Sequence, residues 1–112
     1  MVKVVWFLRK AEHLSMDEFR HWWLNEHAQK VLEQQGPMLE RYIINIRNEI
    51  DGLPGAPQAP FNWDGMAEEW FKNEEAAHQA FTLPSASETR DDVIAHTSEI
   101  SRFIVTEHHI ID

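Results

Sequence analysis

Apolar and polar positions along this chain follow two patterns, one typical of strands and one typical of helices. Val2 to Leu8 is a short apolar run rich in β-forming residues, and it predicts a first strand. Between Met16 and Val31 the apolar side chains recur at intervals of three and four residues, which predicts an amphipathic helix. Ser15 and Glu18 have the capping-box spacing at its start. Gly36-Pro37 ends it, because proline cannot continue the helical hydrogen bonds.

The rest of the chain completes a recognisable order of elements. The further predicted elements are a strand over 39–50, a proline-rich loop over 51–63, a strand over 66–71, a helix from Asn73 to about Leu83, a helix from about Ser87 to Ser101 and a strand over 103–111. This order predicts one α+β domain over residues 1–112 with the ferredoxin-like, split βαβ fold, a four-stranded antiparallel sheet with helices on one face. The other face carries little charge, so we predict that a second copy packs against it in a sheet-to-sheet homodimer.

Composition narrows the class of function more than it narrows the fold. The chain has 19 acidic and 10 basic residues and a formal net charge of −9, so no basic surface is expected for nucleic acid or an anionic membrane. No segment is long and apolar enough to span a membrane, and none resembles a secretory signal. There is no cysteine, which excludes disulfides and thiolate chemistry. We therefore expect a cytoplasmic protein without a nucleic-acid or membrane partner.

One histidine interrupts the apolar face of the predicted helix. Met16, Phe19, Trp23, His27 and Val31 fall within one sector when each residue turns the helix by about 100°. Four of these side chains are apolar, and the fifth titrates near neutral pH. His27 is therefore a candidate general base, because apolar neighbours would keep its imidazole neutral. A hydrogen-bonded core histidine is the alternative.

The spacing of the histidines argues against a metal site. His21 and His27 lie on different sides of the predicted helix, and His108 and His109 point to opposite faces of a strand, so neither pair chelates a metal by itself. The chain also has no His-Glu-x-x-His run, no glycine-rich phosphate loop and no nucleophile elbow. We expect no metal ligands and no bound nucleotide.

Several short motifs, spread over nearly the whole chain, are similar to those of a known family. They are His27-Ala28 preceded by Phe19-Arg-His-Trp-Trp23, then Arg41-Tyr42 with Asn45, and then Asp64-Gly65-Met-Ala-Glu68-Glu-Trp70-Phe71. In order and spacing they resemble the EthD-like family of the dimeric α+β barrel superfamily. The resemblance implies a sheet-to-sheet dimer, a ligand cavity in each subunit between sheet and helices, and chemistry without a metal or organic cofactor. Gln29 and Glu69 depart from the family pattern, which usually has proline and an apolar residue at these positions.

Strand parity selects two further catalytic candidates. Tyr42 shares a face with Ile44 and Ile46, and its hydroxyl would donate a hydrogen bond to a developing oxyanion. A core tyrosine with a satisfied hydroxyl is the alternative. Glu69 has the parity that points into the layer of His27, where a His–Glu pair would satisfy its carboxylate. Otherwise Glu69 simply reaches water near the end of its strand.

These residues together predict a cofactor-free acid–base enzyme. His27 would move a proton α to a carbonyl, Tyr42 would hold the oxyanion, and Glu69 would orient or assist His27. The candidate walls of the substrate pocket are aromatic: Trp6, Phe19, Trp23 and Trp63, of which Phe19 and Trp23 also suit the core.

The resemblance implies the kind of substrate and reaction. Related proteins isomerise, cyclise or dehydrate small aromatic, polyketide-like or lactone compounds in catabolic or secondary-metabolic pathways. Two alternatives stay open. One is a cofactor-independent oxygenase of an electron-rich aromatic, and the other is a dimeric binding or accessory protein that is not an enzyme.

Overall fold

The computed structural model describes residues 1–57 and 63–112, and it confirms the predicted ferredoxin-like α+β fold. In chain order the elements are β1 (Val2–Lys10), α1 (Met16–His21), a π-helical turn (Trp22–His27), α2 (Ala28–Gln35), a 3₁₀ turn (Gly36–Met38), β2 (Leu39–Ile46), β3 (Gly65–Phe71), α3 (Glu74–Phe81), α4 (Ala86–His96) and β4 (Thr97–Val105). The strands form one antiparallel sheet in the order β2-β3-β1-β4. Part of the predicted loop over 51–63 lies outside the described residues.

The change from the last helix to the last strand comes earlier than predicted. α4 ends at His96 instead of Ser101, so that β4 begins at Thr97 rather than Phe103. The cause is the antiparallel pairing of β4 with β1, which already places Thr97 opposite Lys10. Hydrogen bonding to a neighbouring strand thus overrides the helical preference of this short segment.

Strand parity in β2 is as predicted, although β2 ends at Ile46 instead of Ile50. Tyr42 lies opposite Glu69, and Ile44 lies opposite Ala67. Because side chains directly opposite each other in a sheet share a face, these residues all point toward the helices. The register therefore brings two polar side chains, Tyr42 and Glu69, next to each other on the inner face.

The first helix begins with the predicted capping box. The Glu18 N–H donates to Ser15 Oγ at 3.1 Å, and the Ser15 N–H donates to Glu18 Oε1 at 2.9 Å. These two bonds satisfy backbone donors that have no partner inside the helix.

The sequence pattern predicts that this helix is α-helical throughout, but the structure departs from that prediction in one turn. Over Trp22–His27 the helix widens into a π-helical turn, after which the Ala28 N–H donates to the Trp23 carbonyl, in the i→i+5 pattern. The turn buries Trp22 and Trp23 side by side, at 2% and 1% exposure, together with His27 at 7%. Such turns recur at functional sites, and this one carries the candidate base.

The core fills the layer between the sheet and the helices as two clusters. The larger cluster is made of Leu8, Phe19, Trp22, Trp23 and Ala67, and the smaller one of Val4, Phe71, Ala77 and Ala80. The paired tryptophans of the π-helical turn therefore belong to the larger cluster and hold the first helix on the sheet.

Trp23 leaves no room for a side chain at Gly65, the first residue of β3. A Cβ atom at Gly65 would lie 2.5 Å from the Asn45 carbonyl oxygen and 2.5 Å from Trp23 Cζ3. Because Trp23 is fully packed, Gly65→Ala should lower the free energy of unfolding by about 1–3 kcal/mol, the usual cost of overpacking a core. Urea denaturation measures this loss. Gly52→Ala is the control, since a Cβ at Gly52 meets nothing within 4 Å. Equal stability of the two variants would contradict this account.

The outer face of the sheet, which the helices leave bare, is partly apolar. Phe7 packs on Phe103 at 5.5 Å and on Trp63 at 5.8 Å between ring centroids, and Phe103 remains 50% exposed. Trp70 is covered by the Lys3 ammonium, which lies 4.6 Å from the centre of its ring. The predicted interface face therefore presents large apolar side chains.

Candidate active site

A cavity of about 880 Å³ lies between the inner face of the sheet and the helices. Its volume is within the range of small-molecule sites. More than half of the side chains that line it are apolar. Its buried polar residues are His27, Gln35 and Glu69, and the half-buried Tyr42 lies beside Glu69. The structure thus places all three predicted catalytic residues around one cavity.

His27 is held by a carboxylate that the sequence did not single out. Its Nδ1 lies 2.9 Å from Oδ2 of Asp92 in α4, and both side chains are buried. A carboxylate only accepts hydrogen bonds, so Nδ1 carries the proton and donates it to Asp92. The lone pair of the neutral ring is then on Nε2, which has no hydrogen-bond partner among the described residues. This nitrogen is the one available to a ligand in the cavity.

Burial and the carboxylate act on His27 in opposite directions. Burial lowers the pKa of His27 below its usual value, because the imidazolium loses its hydration. The hydrogen bond to Asp92 and the charge of Asp92 raise it, but only in part. His27 is therefore neutral at neutral pH, and Asp92 stabilises the imidazolium once a proton arrives.

Asp92 has donors on both of its oxygens. Trp22 Nε1 donates to Oδ1 at 3.1 Å, on the opposite oxygen from His27, and Lys30 Nζ lies 3.4 Å from the same Oδ1. Burial tends to raise the pKa of Asp92, but hydrogen bonds from His27 and Trp22 outweigh it and hold that pKa below its usual value. Asp92 is thus an ionised, fixed partner for His27.

Trp22 also fixes the plane of the His27 ring. The two rings stack with centroids 4.9 Å apart, and Trp22 stacks on His96 as well, at 4.4 Å. His96 Nδ1 lies 2.6 Å from the Asp92 carbonyl oxygen, so this second histidine is tied to α4. The π-helical turn therefore supplies both the base and an aromatic support for it.

The predicted pair between His27 and Glu69 does not form. Glu69 Oε1 instead accepts a hydrogen bond from Trp6 Nε1 at 2.6 Å, and Glu69 Oε2 is buried with no hydrogen-bond partner. The reason is that Asp92 already occupies Nδ1 of His27, while the register of the sheet sets Trp6 beside Glu69 on the neighbouring strand. Glu69 does point inward as predicted, at 5% exposure.

Tyr42 and Glu69, the two inward polar residues of β2 and β3, are protonated or close to it. Burial raises the pKa of Glu69 to about 7, although the bond from Trp6 opposes this. Burial, and then the nearby charge of Glu69, raise the pKa of Tyr42 above its usual value. The Tyr42 hydroxyl makes no hydrogen bond to any residue that the structure describes. It is thus a free donor on the cavity wall.

The four predicted pocket walls fall into two groups. Trp6 and Trp23 line the cavity. Phe19 does not, because it is fully enclosed in the core at 0% exposure, against Trp22 and Trp23. Trp63 does not either, because it packs on Phe7 at the outer face of the sheet. The prediction of a pocket wall is therefore wrong for Phe19 and Trp63.

Sequence reasoning missed Asp92 and Gln35. A signal for Asp92 was available, since Thr89, Asp92, Val93 and His96 recur at helical spacing and mark an inward face with an acid on it. Gln35 follows His27 and Val31 at steps of four residues, so it continues their face of the helix.

The raised pKa of Glu69 makes a prediction about stability. A folded-state pKa of about 7, above the ordinary 4.5, stabilises the folded protein fully below the ordinary value, and this stabilisation is lost as the pH rises through about 7. Between about pH 5 and about pH 8, wild-type protein should therefore lose about 3 kcal/mol more unfolding free energy than Glu69→Gln. Urea denaturation at both pH values measures this.

The control for that experiment is Glu33→Gln, which removes an exposed carboxylate from α2. It should follow the wild-type dependence on pH. A Glu69→Gln protein that also follows the wild-type curve would show that Glu69 ionises as easily in the folded state as in the unfolded state.

Within residues 1–57 and 63–112, no group of three or more His, Cys, Asp or Glu side chains is arranged to hold a metal ion. In the same part of the chain, no helix has the length and apolar character needed to cross a membrane.

Solved structures with the same fold come from several bacteria. An EthD family protein from Bacillus halodurans is 18% identical, with a TM-score of 0.72 over 96% of this chain and 99% of that one. SnoaB, a cofactor-independent oxygenase from Streptomyces nogalater, is 14% identical, with a TM-score of 0.67 over 98% and 95%. A dimeric protein of unknown function and ferredoxin-like fold from Bacteroides fragilis is 11% identical, with a TM-score of 0.62 over 93% of each chain. At these identities the likeness is one of fold.

The sequence itself is informative at the level of the family. No curated protein matches it. It does match the EthD domain over residues 11–98, a range that runs from the end of β1 into the start of β4 and includes His27, Tyr42, Glu69 and Asp92. The chain therefore belongs to the EthD domain family.

Proposed function

We propose that the protein is an enzyme that moves protons on a small, largely apolar substrate, with His27 as the general base. The observation that carries this proposal is the arrangement of His27. This residue lines the cavity, and its Nδ1 is hydrogen-bonded to the buried carboxylate of Asp92. A neutral imidazole backed by a carboxylate is a common form of general base. Nothing in a purely structural role requires its second nitrogen to be left without a partner.

The reaction begins with the removal of a proton from a carbon α to a carbonyl. His27 Nε2 takes the proton, and Asp92 stabilises the imidazolium that results. The electron pair of the broken C–H bond moves onto the carbonyl oxygen as an enolate, and the Tyr42 hydroxyl donates a hydrogen bond to this oxygen. A positioned base of this type contributes about 10²–10⁴ in rate.

Glu69 supplies the complementary acid. Its pKa of about 7 lies above the ordinary value, whereas the pKa of His27 lies below its own. Two titratable groups whose surroundings shift their pKa values in these directions suit an acid and a base that both work near neutral pH. Glu69 would return a proton to another position of the enolate, which amounts to isomerisation, or to a leaving hydroxyl, which amounts to dehydration.

The lining of the cavity limits the substrate. Trp6 and Trp23 offer aromatic surfaces, and half of the other lining side chains are aliphatic. We propose that the substrate is a compact aromatic, polyketide-like or lactone compound, whose rings pack on these surfaces while its carbonyl lies between His27 and Tyr42. Isomerisation, cyclisation and dehydration share this first step.

We also propose that the protein is a homodimer formed through the outer face of the sheet. Phe7 and Phe103 give that face large apolar side chains, and a second copy would cover them. The Bacteroides fragilis protein of the same fold is described as dimeric. Sedimentation equilibrium measures the assembly state.

The experiment that tests the proposed function is a turnover screen with muconolactones, anthrones and linear polyketide mimics, in which product and dissolved oxygen are both followed. Turnover without oxygen uptake, lost when His27 is replaced, supports the proposal. Oxygen consumed in step with the substrate would identify a cofactor-independent oxygenase instead, which is what SnoaB is. No turnover of any compound, with thermal stabilisation by the same ligands in wild-type protein and in the variant alike, would indicate a binding protein.

A further inference from the structure

One polar group on the cavity wall has no part in the proposed proton transfer. Gln35 is the last residue of α2, is 3% exposed and lines the cavity. Its Nε2 donates to the Ala80 carbonyl of α3 at 3.3 Å, whereas its Oε1 is buried with no hydrogen-bond partner. That bond fixes the amide nitrogen against α3 and leaves the oxygen as the atom that can accept from a ligand.

The unsatisfied oxygens of the molecule are concentrated at this cavity. In the described part of the chain, the buried side-chain polar atoms without a partner are Gln35 Oε1 and Glu69 Oε2, and both residues line the cavity. Buried polar atoms in folded proteins are nearly always hydrogen-bonded, because an unpaired one costs free energy. When Glu69 is neutral, its Oε2 carries the carboxyl proton and can donate, whereas Gln35 Oε1 can only accept. The unpaired oxygen of Gln35 therefore indicates that the ligand brings a donor to that end of the cavity.

The positions of His27 and Gln35 give the ligand a length. His27, Val31 and Gln35 follow each other at steps of four residues along one side of the helix, and all three line the cavity. A rise of 1.5 Å per residue separates the first and the last by about 12 Å along the helix axis. A ligand that reaches both is therefore about two or three rings long, which the cavity volume of about 880 Å³ accommodates.

We propose that Gln35 is a substrate-binding residue that accepts a hydrogen bond from an O–H group of the substrate, at the end remote from the carbon that His27 deprotonates. The substrate is then a phenol or a similarly hydroxylated apolar compound. A neutral O–H is sufficient at this end of the cavity, because Gln35 Oε1 is an uncharged acceptor and Val31 and Ala77 on the lining are apolar. The orientation relative to His27 rests on the proposed function, whereas the binding of the O–H group does not.

The test is a comparison of two probes, of which only one carries O–H donors. The probes are para,para′-dihydroxybiphenyl and its dimethyl ether, in which O–CH₃ replaces both O–H groups, so the ether has no donor left for Gln35. Their dissociation constants are measured by quenching of the tryptophan fluorescence, since Trp6 and Trp23 line the cavity. Wild-type protein should bind the diphenol about fivefold to tenfold more tightly than the ether, as one additional hydrogen bond to a buried acceptor allows.

Two variants assign that preference to Gln35. In Gln35→Met, which keeps the length of the side chain but removes the amide, the preference should fall about fivefold from its wild-type value. In the control Gln29→Met, an exposed position on the same helix, it should be unchanged. If Gln35→Met does not fold, the side-chain amide resonances of Gln35 in wild-type protein replace it: the diphenol should shift them and the ether should not.

Each of the other outcomes overturns the inference. Failure of both probes to bind would exclude the apolar phenol as the class of ligand. Equal affinity of wild-type protein for both probes would show that no ligand donor reaches Gln35 and that water or a small rotation satisfies its oxygen. A preference retained in Gln35→Met would place the second donor elsewhere. None of these binding results depends on turnover, so the proposed function stands or fails separately.

Discussion

Replacing His27 with asparagine should lower kcat/KM by about 10²–10⁴-fold, the contribution of a positioned general base. In wild-type protein His27 Nδ1 lies 2.9 Å from Oδ2 of Asp92. The asparagine amide nitrogen takes the place of this Nδ1 and can still donate to Asp92. The variant has no counterpart of Nε2, so it cannot accept the proton. The buried carboxylate keeps a partner, and the loss should therefore appear in kcat with little change in the free energy of unfolding.

The matched control is His21→Asn, which makes the same substitution on the exposed side of the same helix. Steady-state kinetics and urea denaturation of both variants separate the loss of a base from the loss of packing. A His27→Asn protein with kcat/KM within about threefold of wild type would show that His27 is a core histidine, because removal of a general base lowers the rate much more than threefold.

The strongest predictions from the sequence rested on regular backbone geometry. The capping box at Ser15 and Glu18 depends on contacts three residues apart, and it forms as the spacing predicts. The inward direction of Tyr42 and Glu69 depends only on the alternation of side chains along a strand, and the register confirms it. Such features are local, so a single sequence contains the information that determines them.

The partners of these residues could not be predicted in the same way. The hydrogen bond between His27 and Asp92 joins residues 65 positions apart, and it requires α4 to pack beside the π-helical turn. The π-helical turn itself has no pattern of its own in the apolar spacing, since it arises where Trp22 and Trp23 are both packed into the core. Asp92 is one of 19 acidic residues in the chain, and although its helical spacing marks an inward face, only the tertiary structure shows that it reaches His27.

Glu69 shows how a correct direction can lead to a wrong partner. A buried carboxylate needs a donor, and the imidazole of His27 was the polar group expected in that layer. The structure instead supplies the indole N–H of Trp6, whose polar character is easily overlooked in a residue counted as aromatic. As a result His27 is hydrogen-bonded to Asp92 and Glu69 to Trp6, and the pKa of His27 is lowered while that of Glu69 is raised.

Asp92→Asn should abolish most of the activity, with a loss in kcat/KM of about 10²–10⁴-fold, although the side chain keeps its size. Trp22 Nε1 donates to Oδ1, and Lys30 Nζ lies on the same side, so the amide oxygen of the asparagine will take that position. Its NH₂ group then faces His27 Nδ1 and donates to it. This forces the imidazole proton onto Nε2, the atom that must be free to act as the base.

The pH profile distinguishes this tautomer effect from damage to the fold. Asp92 raises the pKa of His27 against the larger effect of burial, so its removal should lower that pKa further. The rise of kcat/KM with pH, which reports deprotonation of the base, should therefore move to lower pH in Asp92→Asn while its plateau falls.

Nitrogen NMR of His27 should show the proton on Nδ1 in wild-type protein and on Nε2 in the variant. The control is Asp91→Asn, the exposed neighbour in α4, which should leave both the profile and the tautomer as in wild type. An unchanged tautomer in Asp92→Asn, with activity intact, would mean that Asp92 only anchors the helices together.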